Sequence, residues 1–362
     1  MHEVVLFVGR TTRRAEIGRE TTLRRQSATL VATSEPKQLT VLVLLPKPDW
    51  EGLSFRPDIP AGVTAVFGCA LADFDPALVA AAEGIVWVPP SKEATLAEVA
   101  AAATSAKWLH AFSAGVDYIA SFIGASKLAV SNGRSAFSKS LAEYALMAVL
   151  HFNKQVPRCQ QNRLEKKWDK FTMDVIEGKT IGFVGYGSIA QHTAKLAKAF
   201  GMRSVALRRN PEKAKDDPEP ELVAATYGLA DAATLYQQAD FVVCSLPGTA
   251  ATTNFINAAA FAAMKPTAVF ISLGRGAAVD EAALHHALTT GQIAGAALDV
   301  YKQEPLPAES PLWGCDNVLM TAHNADLTAD YFSLGWKVWL ENLAAYRSSA
   351  TLATPVNTAE GY

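Results

Sequence analysis

The sequence contains few cysteines, and none of them form a pair with the spacing of a metal-binding or redox motif. The four cysteines lie far apart along the chain, at Cys69, Cys159, Cys244 and Cys315, and no CxxC occurs. A disulfide-stabilised secreted domain and a thiolate-bound metal site are therefore not expected. We expect reduced thiols, as in a cytoplasmic protein, and no bound metal.

The chain also lacks a strong net charge and a long apolar run. Its 33 Lys and Arg residues nearly balance its 35 Asp and Glu residues, which leaves a formal net charge of -2. This balance provides no electrostatic basis for binding nucleic acid or an anionic membrane. No uninterrupted apolar stretch approaches the roughly 18 residues that a membrane-spanning helix needs. We therefore expect neither a nucleic-acid partner nor a membrane partner.

Residues 1–38 differ in composition from the rest of the chain. They combine Ser and Thr with six arginines, but they also contain Glu3, Glu16 and Glu20. A transit peptide would be rich in Arg and Ser and poor in acids. The segment is therefore interpreted as a retained N-terminal extension, poorly ordered or loosely docked, with organellar targeting as the alternative.

Short apolar runs that do not alternate with polar residues recur along the chain, and helical segments lie between them. At 362 residues the chain exceeds what one core usually supports, so two domains are expected. Continuous apolar strands with helices between them are typical of parallel sheets covered on both faces. The sequence predicts an α/β protein with two Rossmann-like, doubly wound domains and a cleft between them. Strands are predicted at 40–45, 63–67, 85–88, 107–112, 180–185, 204–207, 241–246, 268–273, 294–300 and 318–321.

The order of these segments predicts the domain limits. Residues 39–133 together with 326–362 form the predicted substrate domain, and residues 134–325 form the predicted NAD(P)-binding domain. A last helix, predicted over 327–346, returns to the first domain. Between the two series, Ser140-Leu-Ala-Glu143 has the spacing of a capping box at the start of a long helix. This helix is interpreted as a hinge element, with a plain core helix as the alternative.

A glycine-rich turn, Gly185-Tyr-Gly-Ser-Ile-Ala190, lies between an apolar strand and a predicted helix. In that context Gly185 allows a tight turn, and Gly187 lets the backbone approach a pyrophosphate. The phosphates would meet the free N–H groups and the positive end of the helix dipole. The motif predicts a dinucleotide site, and a strand–helix turn without a ligand is the alternative.

The following strand lacks the acid that would bind the ribose 2′-hydroxyl of NAD. Arg208-Arg209 stands at its end instead, and the first acid is Glu212. Paired guanidiniums bind a 2′-phosphate through charge-assisted hydrogen bonds, whereas a carboxylate would repel it. We predict NADP(H) as the preferred cofactor, with NAD(H) still possible. Two solvated arginines are the alternative.

Three residues that lie further along the chain than the dinucleotide motif form a set suited to reducing a 2-oxo acid. Arg275 follows a predicted strand, and its guanidinium could hold a carboxylate and polarise a carbonyl. His323 ends another strand, and an imidazolium can donate a proton near neutral pH. The carboxylate of Glu304, if it lies against the imidazole in the fold, would raise the pKa of His323 and keep it protonated. A structural arginine that forms a salt bridge and an ordinary histidine are the alternatives.

These phrases together resemble the D-isomer-specific 2-hydroxyacid dehydrogenase family over roughly residues 40–345. The resemblance implies that Arg275, Glu304 and His323 are catalytic and that Asp299 lies near the nicotinamide amide. It implies that backbone N–H groups of Ser113, Ala114 and Gly115 bind the substrate carboxylate with Arg275. The predicted cofactor-binding residues are Gly185, Tyr186, Gly187, Ser188, Ile189, Arg208, Arg209, Leu246, Pro247, Leu273, Gly274, Asp299 and His323.

The chain departs from the family pattern at a few positions. Arg208-Arg209 is similar to the NADPH-preferring glyoxylate/hydroxypyruvate reductase branch. Ser272 stands where asparagine is common, and Ala322 where proline is common. Glu304 argues against the formate dehydrogenase branch, which has glutamine there.

The expected function is reduction of a 2-oxo acid, similar to glyoxylate or hydroxypyruvate or larger, to the D-2-hydroxy acid by hydride transfer from NADPH. The resemblance also implies a homodimer that forms through the second domain. One alternative is an NAD-dependent dehydrogenase that works oxidatively. A second is a nucleotide-sensing corepressor or scaffold of the same fold.

Overall fold

The computed structural model describes residues 38–46, 57–358, 360 and 361. The predicted extension at residues 1–38 lies outside the described residues, apart from Gln38. Within the described ranges, no helix has the length and hydropathy needed to cross a membrane.

The first half of the chain forms a parallel sheet, with strand order β2-β1-β3-β4-β5 in the described residues. The three inner strands are almost fully buried, as continuous apolar runs predict, because helices cover both faces. The middle four residues of the first edge strand are half-buried. The sequence analysis missed β5, a four-residue strand with only one large apolar side chain, Val130. The bounds are β1 Leu39–Leu44, β2 Val63–Gly68, β3 Gly84–Trp87, β4 Trp108–Ala111 and β5 Ala129–Asn132.

The second half forms a larger parallel sheet, with order β12-β11-β10-β9-β6-β7-β8 in the described residues. The order reverses between β6 and β9, which is the switch point where doubly wound sheets bind dinucleotides. The prediction missed the short edge strand β8. The bounds are β6 Thr180–Val184, β7 Arg203–Leu207, β8 Ala225–Tyr227, β9 Phe241–Cys244, β10 Val269–Ser272, β11 Gly295–Leu298 and β12 Val318–Met320. The predicted fold class, two parallel α/β domains, is confirmed.

The helices lie between the strands and after them. In chain order they are α1 Pro76–Ala81, α2 Glu93–Ala102, α3 Ala120–Ala125, α4 Ser138–Asn153, α5 Val156–Leu164, α6 Ser188–Ala199, α7 Ala232–Gln238, α8 Ala258–Ala263, α9 Glu281–Thr289 and α10 Tyr331–Arg347.

Two helices link the halves of the molecule. Apolar side chains of α4, including Ala145 and Val149, pack in one core with Phe183 of β6. The last helix, α10, packs on the first sheet, where Trp336 and Trp339 join the core that contains β1 and β4. The chain therefore crosses back to the first sheet after β12. The limits at 133/134 and 325/326 stay predictions.

The capping-box prediction for Ser140 was wrong. The helix α4 begins at Ser138, with Phe137 as the N-cap residue and no side-chain cap. The Ser140 hydroxyl instead donates to the carbonyl oxygen of Ala325, in the turn after β12. The Ser140 hydroxyl therefore binds a residue that is distant in sequence, whereas its local spacing had predicted that it caps the helix.

Candidate active site

The carboxyl ends of strands from both sheets border one cleft of about 1390 Å³. Ligands of open α/β sheets bind at this edge. The predicted site residues that line the cleft are Ser113, Ala114, Gly115, Gly185, Tyr186, Gly187, Ser188, Ile189, Arg208, Arg209, Leu246, Pro247, Leu273, Gly274, Arg275, Asp299, Glu304 and His323.

The glycine-rich turn has the form that a dinucleotide requires. Gly185 has φ +87°, which favours glycine, and a Cβ there would lie 3.0 Å from Leu246 Cδ2. Gly187 is the N-cap residue of α6, and no heavy atom lies within 4 Å of the position its Cβ would take. The first-turn N–H groups of α6 therefore border open space, where a pyrophosphate fits.

Arg208 is held at the end of β7 by contacts on one side of its guanidinium. Its Nη2 donates to Asp217 Oδ1 at 2.8 Å and to the Tyr186 carbonyl oxygen at 3.0 Å. Its Nη1 is buried and has no hydrogen-bond partner among the described residues. A buried donor without a partner is unfavourable, so this atom fits an anionic ligand oxygen. The sequence analysis did not identify Asp217.

Arg209 is more exposed and also faces a carboxylate. Its Nη2 lies 3.0 Å from Glu360 Oε2, and the two side chains are 53% and 42% exposed. The sequence analysis treated Glu360 as part of the last domain segment and gave it no role. No local pattern could have identified this contact, because the two residues are 151 positions apart.

Arg275 forms an ion pair that joins the two halves of the molecule. Its Nε donates to Asp117 Oδ1 at 2.8 Å, and its Nη1 donates to the Gly274 carbonyl oxygen at 3.0 Å. Burial lowers the pKa of Arg275, but the charge and hydrogen bond of Asp117 outweigh burial and raise the pKa above its ordinary value. The guanidinium therefore stays charged in the cleft.

The glycines around Arg275 serve close packing of the backbone. A Cβ on Gly274 would lie 2.3 Å from the Leu246 carbonyl oxygen, and one on Gly276 would lie 1.9 Å from the Tyr301 carbonyl carbon. Any side chain at these two positions would therefore collide with the neighbouring backbone. Gly115 is the glycine that faces the guanidinium, since a Cβ there would lie 1.5 Å from Arg275 Nη2.

His323 and Glu304 form a hydrogen-bonded imidazole–carboxylate pair in the cleft. His323 Nδ1 lies 2.7 Å from Glu304 Oε2, and Glu304 Oε1 accepts from the Tyr301 N–H at 2.9 Å. The hydrogen bond to Glu304 raises the pKa of His323 above its ordinary value, although burial lowers it. Burial raises the pKa of Glu304, but the hydrogen bonds from His323 and Tyr301 lower it overall. Glu304 therefore stays ionised and stabilises the imidazolium.

Asp299 holds the turn that carries His323. It is 1% exposed, and its Oδ1 accepts from Thr321 Oγ1 at 2.6 Å and from the Asn324 N–H at 3.1 Å. Its carbonyl oxygen accepts from the His323 N–H at 2.8 Å. His323 itself has φ +52°, a left-handed conformation that needs such support. The position of Asp299 near the nicotinamide, which the family resemblance implies, stays a prediction beside this positioning role.

Known proteins are similar to this chain in sequence and in fold. Residues 146–325 match the family model for the D-isomer specific 2-hydroxyacid dehydrogenase NAD binding domain. A D-3-phosphoglycerate dehydrogenase of Synechocystis sp. is 38% identical over 198 residues, which cover 54% of this chain and 34% of that protein. The chain thus spans about a third of that relative's length.

Two further relatives are similar over more of their length. A glyoxylate reductase of Thermofilum pendens is 34% identical over 242 residues, covering 65% of this chain and 70% of that protein. The solved structure of an NADPH-dependent glyoxylate/hydroxypyruvate reductase from Sinorhizobium meliloti, in complex with NADP and sulfate, matches with a TM-score of 0.73. It is 25% identical, and the match covers 90% of this chain and 100% of that one. The chain therefore belongs to the D-isomer specific 2-hydroxyacid dehydrogenase family.

Proposed function

We propose that the protein reduces a 2-oxo acid to the D-2-hydroxy acid with NADPH. The observation that carries the proposal is the His323–Glu304 pair at 2.7 Å, in the same cleft as Arg275 and the glycine-rich turn. A proton donor, a fixed cation and a dinucleotide site are the groups that this reduction needs. The D configuration comes from the family.

Arg275 binds and orients the substrate in this proposal. Its guanidinium can hold the carboxylate and stabilise the negative charge that grows on the 2-oxo oxygen. Asp117 fixes it through Nε at 2.8 Å. The backbone N–H groups of Ser113, Ala114 and Gly115, in the loop after β4 that faces this guanidinium, would supply further donors.

His323 supplies the proton. Because Nδ1 is bonded to Glu304, Nε2 is the ring nitrogen that donates to the carbonyl oxygen of the substrate. The raised pKa of His323 keeps the imidazolium populated further into the neutral range. NADPH, when bound, supplies the hydride that completes the reduction.

The preference for NADPH is supported by the end of β7. Arg208 and Arg209 stand where an NAD-binding domain places an acid, and Arg208 Nη1 is a buried donor suited to a phosphate oxygen. The Sinorhizobium meliloti relative, which is NADPH-dependent by its name, is consistent with this choice. Oxidation of a 2-hydroxy acid with NAD⁺ as the hydride acceptor is the alternative.

We also propose that the chain acts as a homodimer. From the last residue of α5 to the start of β6, large apolar side chains are exposed, with Trp168 at 92% and both Leu164 and Val175 at 66%. An exposed apolar segment of this kind is typical of a protein interface. It lies in the predicted NAD(P)-binding domain, through which the family resemblance implies dimerisation.

The proposed function is tested by following NADPH consumption with a panel of 2-oxo acids that increase in size from glyoxylate. We expect steady turnover with at least one of them, faster with NADPH than with NADH. Tight NADPH binding without turnover of any 2-oxo acid would favour a nucleotide-sensing protein and refute the enzyme.

A further inference from the structure

The segment after α10 is anchored on the first sheet. The Asn132 N–H donates to the Thr354 carbonyl oxygen at 3.1 Å, and the Val356 N–H donates to the Val130 carbonyl oxygen at 2.9 Å. Ser131 and Pro355 form an antiparallel bridge between these bonds. Residues 354–356 therefore extend the first sheet beside β5 and hold the start of this segment in place.

The other end of the same segment reaches the mouth of the cofactor cleft. Glu360 Oε2 lies 3.0 Å from Arg209 Nη2, in the loop after β7. Gly361 lines the cleft, and a Cβ on it would lie 3.8 Å from Thr249 Cγ2, in the loop after β9. The segment thus connects the first sheet to the part of the second sheet where the adenosine end of a dinucleotide binds.

The chemistry of Glu360 differs for the two cofactors. A carboxylate on Arg209 takes a donor that a 2′-phosphate would use, and it repels the phosphate charge. A carboxylate can also accept a hydrogen bond from a ribose 2′-hydroxyl, as the acid at the end of this strand does in NAD-binding domains. In this chain Arg208 occupies the position of that acid. Glu360, which is 151 positions from Arg209 in the sequence, places a carboxylate at the same loop.

We propose that Glu360 is a cofactor-selectivity residue, which competes with the 2′-phosphate of NADP(H) for Arg209 and tolerates NAD(H). The proposal rests on the proposed function in one respect, the assignment of the 2′-phosphate to Arg208 and Arg209. NADP(H) binding displaces the Glu360 carboxylate, whereas NAD(H) binding leaves it on the guanidinium. Glu360 therefore reduces the preference for the phosphorylated cofactor.

The effect is bounded by the exposure of the pair. Both side chains are about half exposed, at 53% and 42%. Exposed ion pairs contribute little, and losing one changes a binding constant by about two- to fivefold. We expect Glu360→Gln to tighten NADPH binding by about this factor and to leave NADH binding unchanged or weaker. The difference should shrink at high salt, because exposed charges are screened.

The experiment measures dissociation constants of the full chain for NADPH, NADH and 2′,5′-ADP at low ionic strength. The variants are Glu360→Gln and the control Glu341→Gln, which removes the same charge from an exposed position on α10. We expect a higher ratio of NADPH to NADH affinity, and tighter 2′,5′-ADP binding, for Glu360→Gln only. Equal changes for both cofactors, or no change, would overturn the proposal.

A second pair of variants separates this inference from the proposed function. Arg209→Gln should weaken NADPH binding, and Glu360→Gln should then have no further effect in that background. If Arg209→Gln leaves NADPH binding unchanged, the assignment of the 2′-phosphate to Arg209 fails, and the inference fails with it. If Arg209→Gln weakens NADPH binding but Glu360→Gln changes nothing in either background, only the role of Glu360 is refuted.

Discussion

Replacing Glu304 with glutamine tests whether the carboxylate keeps His323 protonated. Glutamine preserves the size of the side chain and a hydrogen-bond acceptor for His323 Nδ1, which lies 2.7 Å from Glu304 Oε2. It removes the negative charge. Because the pKa of His323 is raised by Glu304, the variant should lose its imidazolium at lower pH than the unmodified protein.

The expected magnitude follows from the geometry of the pair. A hydrogen bond to a charged group contributes about 1.5–3 kcal/mol. The His323 and Glu304 side chains are 28% and 27% exposed, so solvent weakens the interaction and we take the lower end of that range. On the basic limb the rate is proportional to the protonated fraction, so reduction should be about tenfold slower there.

The sign of the pH dependence distinguishes this effect from a general disruption of the active site, which would lower the rate at every pH. Below the lower pKa that His323 has in the variant, both proteins carry the imidazolium, so their rates should approach each other. As pH rises through the folded-state pKa, the variant loses activity first. The same charge stabilises the fold only while His323 is protonated, so the variant's stability deficit should also disappear at high pH.

The assay is kcat/KM for the 2-oxo acid as a function of pH, with NADPH at saturation. Glu309→Gln is the control, because Glu309 is an exposed carboxylate on the same loop. Its basic limb should not move. A basic limb that also stays in place for Glu304→Gln would show that the carboxylate does not control the proton donor, and the coupled pair would have to be abandoned.

The remaining predictions concern three other parts of the cleft. His323→Ala should slow reduction by about 10²- to 10⁴-fold and leave NADPH binding nearly intact, which single-turnover kinetics and a cofactor titration can check. Replacing Arg208-Arg209 with a pair that contains an acid should lower the NADPH-to-NADH selectivity by about tenfold to a hundredfold, and an unmodified protein that uses both equally would contradict the assignment. Gly115→Ala should displace the Arg275 guanidinium, since the new Cβ would lie 1.5 Å from Nη2, and should raise KM and lower kcat for the 2-oxo acid. Gly124→Ala, with nothing within 4 Å of its new Cβ, is the matched control, and equal kinetic losses in both variants would refute the contact.

Local sequence predicted most of the strands because each is a short apolar run, and all of these runs except β2 and β12 are largely buried on both faces. The two strands that were missed are informative. β5 presents Ser131 and Asn132 at buried positions, where Ser131 accepts from Trp108 Nε1 at 2.9 Å. β8 has three residues, all half-buried, at the edge of its sheet. Neither strand has an apolar pattern of its own. Contacts with the rest of the protein stabilise both strands, so the local sequence carries no signal for them.

The glycine-rich turn and the order of Arg275, Glu304 and His323 were readable from the sequence alone, because each lies in a short phrase whose local conformation serves its chemistry. The carboxylates that face the arginines were not. Asp117 is 158 positions from Arg275, and Glu360 is 151 positions from Arg209. An acid so far along the chain carries no periodic or local signal, and only the folding of two sheets against one cleft brings it to its guanidinium. The sequence by itself determined the glycine-rich turn, Arg275 and the His323–Glu304 set, and the tertiary structure decided which carboxylates pair with the arginines.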